Sequence, residues 1–298
     1  MRFVDGALLL VLAAIWGGSF VFMRVLSPVL GPVMTATVRA LVAGIVLVVL
    51  FQSLRIRLDW RKNFRHYVIV AVLNSALPFL LFSYAALHVV ASVSSIVNAL
   101  TPLWGAVFAA ALLQEPLTVR KLGGIAAGFV GVLIIALFGG ARTTLNAEVL
   151  PIAACALATV CYGISGVYIR RWAPDAQSSA MTAVSLLFAG VVLLPLSLIH
   201  PPVLTAIRPS IWLVAVAFSL LCSAVAYLIY FRLILRVSVT FALSVTLLIP
   251  VFAFVWGLVF LGETVRPGAY VGAVFVLSGT ALIGSRGRSH RAALQQRQ

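Results

Sequence analysis

Long apolar stretches separated by short polar breaks run the length of this chain. A helix needs about 17–25 apolar residues to cross roughly 30 Å of hydrocarbon. That length predicts spans at about 6–23, 33–54, 67–87, 89–113, 122–139, 149–169, 180–198, 211–231, 237–261 and 267–283. Two boundaries are faint. Residues 67–113 form one nearly continuous apolar run broken only around His88, and 211–261 is broken only between Arg232 and Arg236. Each run is too long for one helix and suits a tight helical hairpin. The first span does not read as a cleaved signal peptide, because its apolar run is long, contains Trp16 and meets no small-residue cleavage site before Arg24.

Composition fits a chain bathed in lipid. Of 298 residues, 63% are hydrophobic and 9% are charged, whereas a soluble chain carries about 25% charged residues. The net charge of +15, from 21 Lys and Arg against 6 Asp and Glu, would by itself suggest a nucleic-acid partner. Most of these cations lie between or just beyond the apolar runs, however. They read as a topology signal and as attraction to membrane lipid, with no nucleic acid implied. With both termini in the cytoplasm, 16 of the 21 lie inside, Arg24, Arg142, Arg208 and Arg266 lie outside, and Arg39 falls within a span. Retention of Lys and Arg on the cytoplasmic side therefore supports both the orientation and the count of ten. Cys155, Cys161 and Cys222 sit inside apolar runs without metal-ligand spacing and read as small buried hydrophobes.

The chain also contains itself twice. Leu113-Gln114-Glu115 matches Leu261-Gly262-Glu263 at an offset of 263 − 115 = 148, which also pairs Asn98 with Thr246, Pro102 with Pro250, Gly105 with Ala253, Gly124 with Gly272 and Gly131 with Gly279. Nearer the start of each half, an offset of 162 − 16 = 146 pairs Trp16-Gly17 with Tyr162-Gly163, Arg24 with Arg170 and Gly44 with Gly190. Five spans per unit is an odd number, so the two copies insert with opposite orientation and an in-plane pseudo-two-fold axis relates them. Transporters use that arrangement to open one site to alternate sides. The expected fold class is all-α and integral to the membrane, with a first repeat at 1–146, an inverted second repeat at 147–285 and a basic cytoplasmic tail at 286–298, read as disordered and lipid-facing.

Several segments in order resemble the drug/metabolite transporter superfamily, in its ten-helix EamA branch. They are Trp16-Gly17-Gly18-Ser19-Phe20, Val38-Arg39-Ala40-Leu41, the stretch from Tyr84 to Pro102, and Leu113-Gln114-Glu115-Pro116-Leu117-Thr118, answered by Pro250-Val251-Phe252-Ala253 and Leu261-Gly262-Glu263. The resemblance covers about residues 5–285. It implies a central cavity lined by helices 1, 3, 4, 6, 8 and 9, with helices 5 and 10 outside. It also implies export of amino acids or related metabolites across a bacterial plasma membrane, and the chain is similar to the subgroup that exports aromatic amino acids. Tyr162 standing where the first half has Trp16 departs from the tryptophan pattern.

Polar groups inside hydrocarbon are costly, so those that remain need an account. Candidates for the cavity wall are Trp16 and Ser19 on helix 1, Asn74, Pro78, Phe79 and Phe82 on helix 3, and Ser94, Asn98 and Thr101 on helix 4. The second half adds Tyr162 and Ser165 on helix 6, Ser223, Tyr227 and Tyr230 on helix 8, and Thr246 and Pro250 on helix 9. Prolines 102 and 250 would free backbone carbonyls to face the cavity. Small and hydroxyl side chains equally serve close helix packing, and Tyr230 is near enough to Arg232 to anchor at the interface. Arg39 could snorkel outward, pair with polar groups of helix 1, or neutralise a substrate carboxylate. Trp104, Trp256, Glu115 and Glu263 read as structural.

All six acids and all four histidines lie at span ends or in loops. A proton-coupled pump usually keeps such a group at mid-depth, so the expectation is facilitative movement of small neutral or zwitterionic solutes. The runner-up is an exporter of drugs or organic cations. A membrane-embedded lipid-modifying enzyme would want clustered intramembrane Asp, Glu or His, and a receptor or scaffold would not need the symmetry. No cofactor, metal or ATP-binding motif is expected, and oligomeric state stays open.

Overall fold

The computed structural model describes residues 3–138, 146–199, 207–237 and 245–284. The anticipated tail from 286 onward lies outside them. The described residues form ten helices: α1 (Phe3–Leu30), α2 (Pro32–Ser53), α3 (Trp60–Ala85), α4 (Ala91–Leu113), α5 (Val119–Phe138), α6 (Asn146–Trp172), α7 (Ser178–Ile199), α8 (Pro209–Arg236), α9 (Val245–Leu261) and α10 (Pro267–Gly284). Eight are long and apolar enough to cross a membrane, and α9 and α10 are shorter apolar helices. Many of their large hydrophobics point outward, such as Leu133, Leu213, Val259 and Val274. That is the inverse of a soluble fold and suits a lipid surround.

Of the two faint boundaries, the second lies elsewhere than expected: Arg232 to Arg236 continue α8, and residues 238–244 are outside the described ones; the first is a short link. At the first, α3 ends at Ala85 and α4 begins at Ala91. Gly31, at φ +77, turns the chain from α1 into α2, and Pro32 opens the new helix. Gln114 and Gly262, equivalent at the offset of 148, end α4 and α9 in the same left-handed conformation, at φ 56 and 60.

Packing follows the pseudo-symmetry residue by residue. Gly17 of α1 lets the α9 backbone approach so closely that a Cβ there would lie 2.8 Å from Ala253 N. Its equivalent Gly163 does the same for α6 against α4, at 3.0 Å from Gly105 N. Gly44 of α2 meets Leu187 of α7, and its equivalent Gly190 meets Leu41. Across α5 and α10, Gly124 abuts Gly279 while Gly131 abuts Gly272. Each contact maps onto its own counterpart with the two partners exchanged, as a two-fold relation between inverted five-helix repeats requires. The α5–α10 pair is held by this glycine seam, and its Ile135, Ala269 and Val276 join the buried core against the other helices.

Both repeats also carry a π-helical segment at the same place. In α3 it is Val72–Ala76 and in α8 it is Leu220–Val225, starting 148 residues apart. A π segment widens the helix and offsets backbone groups from the regular ladder, a distortion often found at functional sites.

Candidate functional site

Arg39 occupies the centre of the site. It lies seven residues into α2, about 10 Å along the axis at 1.5 Å per residue, and is only 8% exposed. It points inward and does not snorkel. Its guanidinium carbon stands 3.8 Å from the Phe79 ring centre and 4.8 Å from that of Phe218. Its Nε donates to Ser223 Oγ at 3.2 Å, and Nη1 reaches Met23 Sδ at 4.0 Å. Tyr162, Tyr227 and Cys222 lie within electrostatic reach. Among the described residues no carboxylate pairs with it. Cation–π contacts contribute about 2 kcal/mol when desolvated, whereas burying an ion costs several kcal/mol. A counter-charge is what this environment lacks.

Aromatic rings extend the cluster from both repeats. Trp16 meets Tyr227 edge-on with ring centres 5.9 Å apart and Tyr230 at 5.5 Å. Phe82 lies between Phe20, at 5.5 Å, and Tyr162, at 6.3 Å. Asn74, in the α3 π segment, lies against the Tyr227 hydroxyl. Six expected residues therefore converge on Arg39 or on one another: Trp16, Asn74, Phe79, Phe82, Tyr162 and Tyr227. Tyr230 joins through Trp16, and its ring contact with Phe231 keeps it in the cluster.

The remaining candidates sit differently. Ser19 spends its hydroxyl on the Trp16 carbonyl of its own helix, and Pro78 is buried in the first turn after the π segment. Ser94 lies beside Cys155 of α6. Ser165 is buried with no hydrogen-bond partner among the described residues. Asn98 is half-buried at the point where α4 breaks. Pro102 does free the Asn98 carbonyl, but the Thr101 hydroxyl donates to it at 2.8 Å, and the Thr280 hydroxyl takes the next one, Ala99, at 2.7 Å. The carbonyls expected to face a cavity there are already satisfied. Thr246 is half-buried on α9. Pro250 lines an apolar groove with Ser92, Phe254 and Tyr270, between α4, α9 and α10.

Ser223, expected on helix 8, is the hydrogen-bond acceptor of Arg39. Phe218 and Met23, which also contact Arg39, were missed from sequence, as was Ser75 of the α3 π segment, buried with no hydrogen-bond partner among the described residues. Ser75 and Ser223 are equivalents at the offset of 148, as are Phe79 and Tyr227. For Ser75 the repeat, which pairs it with Ser223, was the signal that could have singled it out. Arg39 itself breaks the symmetry, since its equivalent at 146 is Ser185.

Two ion pairs close the ends of the helix pairs α1–α9 and α4–α6. Arg24 Nε donates to Glu263 Oε1 at 2.9 Å, Arg24 Nη1 to the Ala86 carbonyl at 2.6 Å, and the Ala91 N–H to Glu263 Oε2 at 2.9 Å. Its equivalent joins Arg170 to Glu115 at 2.5 Å, with Lys121 at 3.6 Å, and Arg171 donates to the Leu112 carbonyl. The Arg170 guanidinium holds the Glu115 carboxyl below the usual carboxylate range. The first pair is tight, with Glu263 7% exposed, whereas Arg170 is 63% exposed. Trp256 donates to the Ala14 carbonyl at 3.0 Å and Trp104 packs on Phe108 and Phe129, so both tryptophans serve packing. The three cysteines are free and buried.

Comparison with known proteins agrees with this architecture. The EamA-like transporter family matches twice, over residues 5–137 and 149–285. An S-adenosylmethionine/S-adenosylhomocysteine transporter of Chlamydia trachomatis is 28% identical over 289 residues, covering 91% of this chain and 86% of that one. Protein PecM of Dickeya dadantii is 27% identical, covering 90% and 88%. A probable terminal-alkyne amino-acid exporter of Streptantibioticus cattleyicolor is 27% identical, covering 91% and 90%. A solved crystal structure shares the fold with a TM-score of 0.63 at 16% identity, over 95% of this chain and 96% of that one. The doubled match falls on the two halves that the glycine contacts relate, and the chain is a multi-pass membrane transporter belonging to the EamA-like transporter family.

Proposed function

We propose that this transporter exports amino acids or related small neutral or zwitterionic metabolites by alternating access, as a facilitator that runs down the solute gradient. The observation that carries the reading is the pair of equivalent closures. Arg24–Glu263 and Arg170–Glu115 join the same helix pairs in the two repeats, and inversion sends them to opposite faces. Their unequal burial is what a carrier closed on one side and loosened on the other would display. The aromatic and hydroxyl groups between them suit a solute with an apolar body and few charges. The amino-acid exporter and the S-adenosylmethionine transporter among its relatives support small metabolites as the class. By the distribution of Lys and Arg, the Arg170 end is cytoplasmic, in a bacterial plasma membrane.

Counterflow in proteoliposomes tests the reading, with a panel of amino acids, nucleobases and organic cations. Amino acids should exchange, and Tyr227→Ala and Asn98→Ala should lose flux without losing folded protein. Wild-type flux in both variants would dismiss the site, and exchange confined to organic cations would dismiss the substrate class.

A further inference from the structure

We propose that Arg39 is the carboxylate-binding determinant of this site, so that the transporter selects solutes carrying a carboxylate over isosteres lacking one. The inference rests on the transport reading above and names the feature of the solute that the site reads. The geometry is that of a half-built anion site. Arg39 is more than nine-tenths buried, its guanidinium carbon stands 3.8 Å from the Phe79 ring centre and 4.8 Å from that of Phe218, and its Nη2 is bonded to nothing among the described residues. Two rings packed on the guanidinium restrict its movement, and a planar fork held in place presents paired N–H donors to a carboxylate.

Ser223, in the α8 π segment, already meets Nε, and its hydroxyl can donate to an arriving oxygen. Tyr162 and Tyr227 stand beside it with further hydroxyls, and Trp16 and Phe82 offer apolar surface next to them. A purely structural arginine at this depth would be expected to pair with an acid or with several backbone carbonyls, and among the described residues the hydrogen-bond and ring partners of Arg39 are a hydroxyl, a thioether and two phenylalanines. The asymmetry of the repeats points the same way. The equivalent position holds Ser185, so one cation serves a single site shared by both halves.

The test is counterflow by the full chain in proteoliposomes, comparing L-phenylalanine and L-leucine with their amides, which keep the amine and side chain but lose the carboxylate charge. Wild type should prefer the acids by about tenfold or more, the scale of one charge-assisted hydrogen-bonded contact. Arg39→Gln should lower the apparent affinity for the acids by about ten- to a hundredfold and leave that for the amides nearly unchanged. Arg39→Lys should retain part of the preference, and Ser223→Ala should reduce it a few-fold.

An acid-to-amide ratio equal to wild type in Arg39→Gln would overturn the proposal. Should that variant not fold, unchanged ratios in both Arg39→Lys and Ser223→Ala overturn it equally. A wild type that moves acids and amides alike retires the Arg39 assignment and leaves transport standing. A wild type that moves none of the four retires the amino-acid reading, and this one with it.

Discussion

Trp16 shows how much of the interior hangs on single side chains. It touches Tyr227 and Tyr230 at once, and aromatic pairs contribute about 0.5–1.5 kcal/mol each. Trp16→Leu should therefore cost about 1–3 kcal/mol of stability in detergent, read by thermal unfolding, and should depress flux further by releasing the tyrosines. At the helix ends, Gly262 holds a left-handed backbone at φ 60. Gly262→Ala should destabilise by about 1 kcal/mol, whereas Gln114→Gly, which copies the other repeat, should be neutral or stabilising. Tryptophans and tyrosines in apolar runs were legible as candidates because amphipathic rings are rare and conspicuous there. Phe218 and Met23 were not, since nothing in a phenylalanine or methionine within a chain that is 63% hydrophobic declares that it faces a guanidinium. Prolines misled in one respect: Pro102 frees the Asn98 carbonyl, but the adjacent Thr101 hydroxyl takes it, a local bond that spacing alone does not reveal.

Helices act in equivalent pairs, and the pairs carry different predictions. Glu115 is held below the usual carboxylate range by Arg170. A lowered pKa means that the favourable contribution is fully present above the ordinary carboxylate value and is lost as pH falls through the lowered one. A spin-label distance across the adjacent ends of α4 and α6 should then stay constant from about pH 8 to 5 and lengthen only below the ordinary carboxylate pKa of about 4.3; lengthening near neutrality would contradict this. At the other end, Glu263 is buried and bonded to both Arg24 and the Ala91 N–H. Glu263→Gln should loosen that end more than Glu115→Gln loosens its own, because a buried partner removed leaves a buried charge unpaired. Helix positions were readable from hydropathy because each span is long and apolar. The π segments at Val72–Ala76 and Leu220–Val225 were invisible, because no residue type marks the extra backbone group that makes them.

The whole molecule is governed by its inverted repeat, which is legible in two sequence offsets and which the exchanged glycine contacts realise in three dimensions. With no acid or histidine at mid-depth, a protonophore should leave solute uptake into proteoliposomes unchanged. Accumulation that collapses with the protonophore would overturn the facilitative reading. The central claim is that the two ends open by turns, and paired cysteine accessibility tests it most directly. The native thiols Cys155, Cys161 and Cys222 are buried, so a reagent would report on introduced ones. Ala86→Cys reports the Arg24–Glu263 end, and Leu112→Cys reports the Arg170–Glu115 end, since these positions supply the carbonyls bonded to Arg24 and Arg171. Alternating access predicts that adding a transported amino acid shifts the two reactivities in opposite directions, with Leu112→Cys the more reactive before addition. Reactivities that rise together, or that ignore the solute at both ends, would contradict it.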